Sequence, residues 1–142
     1  MGAIDLAAEA ADRAVHRGPD DADAWERVGR LRLRLGDRDR AIDALETARR
    51  LVPSLDGLLD LALAYQLAGD LGGEVSACEH AVRLEPDSEA AGSRLAHALA
   101  RTDRLSEAID ACEHALALAP DDEVDDLLVR LRDALPRVLP AA

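Results

Sequence analysis

Trp25, Leu58 and Gly92 open three near-identical stretches of the chain, 33 and 34 residues apart. Pro53, Pro86 and Pro120 close the same stretches at the same spacing, with Ala48, Ala81 and Ala115 between them in register. The segment Ala77-Cys78-Glu79-His80-Ala81 recurs as Ala111-Cys112-Glu113-His114-Ala115. A period in this range means one supersecondary unit stacked on copies of itself, because a unit too small to bury its own apolar face buries it on a neighbour. Stacking of this kind builds an extended curved surface rather than a closed pocket, which directs the functional reading toward binding.

Each stretch predicts two helices joined by a tight turn. In the first, Trp25, Val28, Gly29 and Leu33 sit at helical spacing, Gly36-Asp37 breaks the helix, and Ala41, Leu45 and Ala48 begin a second apolar stripe that Pro53 ends. In the second, Leu58, Leu61, Ala62 and Tyr65 precede the break at Gly69-Asp70, and Cys78, Ala81 and Val82 follow. In the third, Leu95, Ala96 and Leu99 precede Asp103, and Ala108, Cys112 and Ala115 follow. Asp103 stands where the other two use glycine, and aspartate tolerates the left-handed conformation better than most residues. The ends differ. Residues 3–17 resemble a second helix without its first, with Ala7, Ala11 and Ala14 before Pro19. Residues 122–135 form a closing helix whose stripe is Val124, Leu128, Leu131 and Leu135, stopped by Pro136 and Pro140 ahead of a tail at 136–142. The expectation is an all-α, single-domain chain of eight helices: a half-unit over 3–21, repeats over 22–54, 55–88 and 89–121, and the closing helix.

Charge narrows the partner classes. The net charge is −12, and all 17 basic residues are arginine. Nucleic-acid binding needs a basic stripe that displaces counterions, and none exists here. The same acidity is unfavourable on anionic lipid. No apolar run is long enough to span a membrane, and the first nine residues lack the basic region and apolar core of a signal peptide. Cys78 and Cys112 occupy equivalent slots a full repeat apart, too far for a disulfide, which points to a reduced, cytoplasmic setting.

With these residues in view, the chain resembles the tetratricopeptide repeat family, whose pattern runs W-x2-L-G-x2-Y, then A-x3-F, then P. The pattern appears as Trp25-x2-Val28-Gly29 with Ala41-x3-Leu45, Ala48 and Pro53. It returns as Leu58-x2-Leu61-Ala62-x2-Tyr65 with Cys78, Ala81 and Pro86, and as Leu95-Ala96-x2-Leu99 with Ala108-x3-Cys112, Ala115 and Pro120. The resemblance implies a right-handed α-solenoid of helix-turn-helix repeats. There are departures. Arg32 replaces the usual aromatic, Glu74 a small residue where two helices approach, and Gly92 a bulky anchor. One residue is missing between Pro53 and Leu58 relative to the other junctions. Glu74 and Gly92 lead to an expectation of looser packing around the second and third repeats.

The resemblance also implies that the first helix of each repeat lines a concave groove. Beside the packing stripe lie Asp23, Glu26, Arg30 and Leu33, then Asp56, Leu59, Leu63 and Gln66, then Ala90, Ser93, His97 and Arg101. Leu59 and Leu63 fall off the core stripe of their helix and suggest an apolar anchor, unless a terminal helix covers them. Arg30 and Arg101 flank that centre and suit a peptide carboxylate. The competing role for Arg30 is an intrahelical pair with Glu26. Some relatives hold a chaperone's terminal carboxylates with a lysine-and-asparagine clamp; with neither residue in the chain, that partner class is not expected.

Catalytic and metal chemistry is not expected. The Cys78/His80 and Cys112/His114 pairs are two residues apart, hence about 200° around a helix, and cannot face one ion. The acidic run from Asp121 to Asp126 suits a helix N-terminus and lacks the spaced ligands of a calcium loop. Gly69, Gly72 and Gly73 follow a helix, so they make a turn rather than a phosphate cradle. His97 is the one histidine placed to face the groove, where it would sense pH or accept a hydrogen bond. Two functions compete: a cytoplasmic adaptor or scaffold that binds a peptide of another protein in the groove, without cofactor, and a self-assembling scaffold that pairs through Leu127, Leu128, Leu131 and Leu135.

Overall fold

The computed structural model describes residues 2–135. Among them eight α-helices follow one another and no strand occurs: α1 (Ala3–Arg17), α2 (Ala22–Arg34), α3 (Arg38–Leu51), α4 (Leu55–Ala68), α5 (Leu71–Leu84), α6 (Glu89–Ala100), α7 (Leu105–Leu118) and α8 (Asp122–Ala134). The chain divides into two compact units, Met1–Leu84 with α1 to α5 and Glu85–Ala142 with α6 to α8. Pro136, Pro140 and the tail at 136–142 lie outside the described residues.

The helix starts are set by side-chain caps. Asp21, Asp37, Ser54, Ser88 and Asp121 each accept a hydrogen bond from a backbone N–H in the first turn of the helix they precede. A cap of this kind contributes about 1 kcal/mol by satisfying an N–H that has no intrahelical partner. Two helix ends use a left-handed glycine. Gly36 and Gly69 take φ of 76° and 74°, and the following N–H reaches back to Arg32 O and Tyr65 O, both at 2.9 Å. The third turn departs from expectation. No residue other than glycine has positive φ among the described residues, so Asp103 does not stand in for the missing glycine. Thr102 closes that turn instead: its hydroxyl donates to Leu99 O at 2.6 Å and accepts from the Arg104 N–H at 3.1 Å.

Packing within the N-terminal unit runs helix to neighbouring helix, α1 on α2, α2 on α3, α3 on α4 and α4 on α5. Small residues set the close approaches. A Cβ on Gly29 would overlap Leu45 of α3, and one on Gly73 would lie 2.5 Å from the Tyr65 ring. Glu74 is buried at the position that Ala41 and Ala108 fill in the other repeats. The C-terminal unit packs α8 on both α6 and α7 around Leu99, Cys112, Val124 and Leu128. Gly92 there leaves room: a Cβ would meet Ala115 at an ordinary 3.5 Å. Cys78 and Cys112 are buried thiols, and burial, with Glu113 beside it, pushes the Cys112 thiol up. No helix of the described residues is long and apolar enough to cross a membrane.

Candidate functional site

The N-terminal unit carries eight of the expected groove residues, on α2 and α4, which touch each other. Two of the charged ones already have structural work. The Ser54 hydroxyl donates to the Glu26 carboxylate and also accepts the Gly57 N–H at 3.0 Å. Gly57 is what lets Glu26 lie there, since a Cβ would sit 2.5 Å from its Oε1. Glu26 therefore braces the cap that starts α4. Arg30 does not pair with Glu26, as i, i+4 spacing suggests; it reaches across to Asp60 on α4, with contacts of 2.9 and 3.0 Å. The partner is 30 residues away, which helical periodicity within α2 has no means of revealing. With its guanidinium half exposed and already paired, Arg30 is a weaker carboxylate site than the sequence suggests.

Of the remaining residues, Asp23 and Asp56 are exposed near the starts of α2 and α4, and the others are apolar or uncharged. Leu33, Leu59 and Leu63 are half-buried, and Gln66 is exposed. Sequence reasoning missed Leu67. It follows Leu59 and Leu63 at i+8 and i+4 on α4 and is 48% exposed. The spacing alone continues the line, so the signal was present.

The C-terminal unit carries Ser93, His97 and Arg101 on and after α6. The Ser93 hydroxyl donates to Asp121 Oδ2 at 3.2 Å, and Asp121 caps α8. Ser93 thus braces the next cap as Glu26 does, with donor and acceptor exchanged. The Val124 N–H, followed by Ser93, the Glu123 N–H and the nearby His97 charge, holds the Asp121 carboxyl below the usual carboxylate range. Arg101 is exposed, and its Nε donates to His97 O at 3.3 Å. On α8, Leu127, Leu128 and Leu131 are buried within their own unit and Leu135 is half-buried. The large apolar side chain left exposed on that helix is Val129, at 53%.

A second set of contacts, repeated within each unit, was not expected at all. Arg32 on α2 pairs with Asp12 on α1; Tyr65 on α4 donates to Glu46 on α3 at 2.7 Å; Arg132 on α8 reaches Glu113 on α7 at 2.8 Å. Arg32 and Tyr65 are one repeat apart, and the three acids also follow the repeat. At each of these junctions, a donor on a first helix therefore grips an acid on the preceding second helix. At the α3/α5 side of the Tyr65 junction, Arg49 adds hydrogen bonds to His80 Nδ1 at 3.0 Å and Ser76 Oγ at 3.3 Å. Burial, then the charges of Arg49 and Arg83, hold His80 below its ordinary pKa, as an imidazole accepting from a guanidinium requires. At the Arg32 junction a cleft of about 230 Å³ stays open, lined by Trp25 and Val28 together with Asp12, Arg40 and Asp43.

Among the described residues no group of three or more His, Cys, Asp or Glu side chains is placed to hold a metal ion. The geometry is that of a helical repeat protein whose polar groups serve caps and junctions. Family models place it more closely: the tetratricopeptide repeat matches over residues 1–54, 28–89 and 93–122, and the chain belongs to that family. Its fold is the all-α solenoid of helix-turn-helix repeats. The crystal structure of MamA superposes with a TM-score of 0.83 at 17% identity, over 92% of this chain and 78% of that one. The first repeat domain of Spaghetti (RPAP3), solved bound to the HSP90 peptide SRMEEVD, superposes at 0.67 with 27% identity, over 80% of this chain and 94% of that one. In sequence, 88 residues are 35% identical to cellulose synthase 2 operon protein C of Komagataeibacter xylinus, a match over 60% of this chain that spans 7% of that protein's length.

Proposed function

We propose that this chain is a protein-interaction adaptor that holds a peptide segment of a partner on the α2/α4 face, with an apolar side chain of that segment over Leu59, Leu63 and Leu67. The observation that carries the reading is Leu67, a large apolar side chain left 48% exposed in line with two half-buried leucines. Leu33 on α2 extends the apolar strip, and Gln66 supplies hydrogen bonds at its edge. The Spaghetti repeat domain, which binds a peptide, supports the class of function. That peptide is acidic, whereas this chain has neither lysine nor asparagine and its Arg30 is engaged by Asp60. The anchor is therefore apolar first. Binding rather than catalysis follows from the same residues, and a reducing cytoplasmic setting suits two buried thiols.

The test is affinity capture of partners with the wild-type chain and with Leu59→Glu/Leu63→Glu, followed by titration of the captured segment. The expected affinity is about micromolar, roughly −8 kcal/mol. The double variant keeps its helical circular dichroism and loses the partner. Equal binding by both would remove the groove reading.

A further inference from the structure

We propose that the open cleft at the Arg32 junction receives an aromatic side chain of a partner protein, a tyrosine above all, in the slot that Tyr65 fills one repeat later. The chain supplies its own template. Advancing the cleft residues by 33 positions turns Trp25 into Leu58, Val28 into Leu61 and Arg32 into Tyr65. The same step turns Arg40 into Gly73, on which the Tyr65 ring lies, and Asp43 into Ser76. In the second slot a ring occupies the space and its hydroxyl donates to Glu46. In the first slot a slim guanidinium reaches the corresponding acid, Asp12, and about 230 Å³ is left over. That volume is below the range of drug-sized ligand sites and suits one side chain.

The charges fit the same occupant. A ring entering over Trp25 presents its electron-rich face to the guanidinium of Arg32 or Arg40, a favourable cation–π arrangement. Its hydroxyl has a carboxylate to donate to at Asp43, which is exposed on the rim. An aliphatic side chain gains neither contact. The cleft lies on α1, α2 and α3 and shares no residue with the leucine strip of α4, so this inference stands apart from the groove reading.

Trp25 is the only tryptophan, and its indole N–H donates to Pro19 O at 2.8 Å, so its fluorescence and its indole N–H resonance report on the cleft directly. Titration with N-acetyltyrosinamide is expected to give a saturable shift with a dissociation constant on the order of a millimolar. A blocked Gly-Tyr-Gly peptide should bind at least as tightly, and N-acetylleucinamide about tenfold more weakly or not at all. Arg32→Tyr/Arg40→Gly rebuilds the Tyr65 slot, fills the cleft from within and should abolish the response while circular dichroism stays helical. Asp43→Ala, on the rim and independent of the core, should weaken binding several-fold. The proposal falls if N-acetyltyrosinamide gives no saturable shift, if the leucine probe matches it, or if Asp43→Ala and the filled variant bind as the wild type does. It falls too if the free amide binds but the tripeptide is excluded. The Leu59→Glu/Leu63→Glu variant should respond normally.

Discussion

The first and second junctions of the N-terminal unit solve one packing problem in two ways. At the second, Tyr65 fills the space between α3 and α5, lies on Gly73 and hands its hydroxyl to Glu46. At the first, Arg32 occupies the aromatic's position, pairs with Asp12 and lies 4.0 Å from Asp37, while Arg40 stands where the glycine would be. The register of both is fixed by the same donor-to-acid contact. What differs is volume, since a ring closes the slot and a guanidinium leaves a cleft. The comparison separates two jobs that an aromatic usually does together: holding adjacent helices in register, and excluding water from the space between them.

The sharpest way to break the comparison is to empty the second slot. Tyr65→Ala removes a ring with close neighbours and leaves Glu46 with Arg49 as its remaining donor, at an expected cost of about 2–3 kcal/mol in chemical denaturation. Arg32→Ala removes no packed ring and should cost about 1 kcal/mol, because Asp12 remains partly solvated. Equal costs would mean that the hydrogen-bonded contact, and not the filled volume, holds each junction.

The glycine beneath the ring gives the next largest effect. Gly73→Ala puts a Cβ 2.5 Å from Tyr65, so the ring must move, at about 1–3 kcal/mol. The same substitution at Gly92 meets its nearest neighbour at 3.5 Å and gains helix propensity, so it should stabilise by about 0.5–1 kcal/mol. Opposite signs for one chemical change are the expected outcome in thermal melts. A loss at both positions would show that the space beside Gly92 is not usable.

These contrasts also show how far the sequence could be read. The turns at Gly36 and Gly69 were legible because a local break has a local cause, the left-handed backbone. The turn at Thr102 was not, because a hydroxyl can replace a glycine by bonding the backbone, and nothing in the spacing distinguishes the two solutions. Periodicity places the candidate groove residues along their helices, but not the partners of the charged ones. Arg30 meets Asp60 and Glu26 meets Ser54 across 30 and 28 residues, and such partners follow from helix stacking rather than from either helix alone. Leu67 and the acids Asp12, Glu46 and Glu113 were within reach, since each continues a spacing already visible in the chain. Arg32 departs from the family pattern, and its acid partner gives the departure a physical meaning.

The smallest expected effect separates the two junctions by pH. Burial first, then the hydrogen bond to Glu46 and the charges of Glu46 and Asp70, push the Tyr65 hydroxyl from 10.0 up to about 12. An unfolded tyrosine ionises near 10, so the protonated hydroxyl is favoured by folding. Its contribution is complete below pH 10 and is lost as pH climbs through about 12, where the phenolate would face the Glu46 carboxylate instead of donating to it. Absorbance of the phenolate in the folded chain should therefore rise late, with a midpoint near 12, and stability should decline over the same interval. Tyr65→Phe keeps the ring and removes the proton, so it should abolish that decline while retaining most of the filled volume. A wild-type midpoint near 10 would mean that the hydroxyl faces solvent, and the second junction would then differ from the first in size alone.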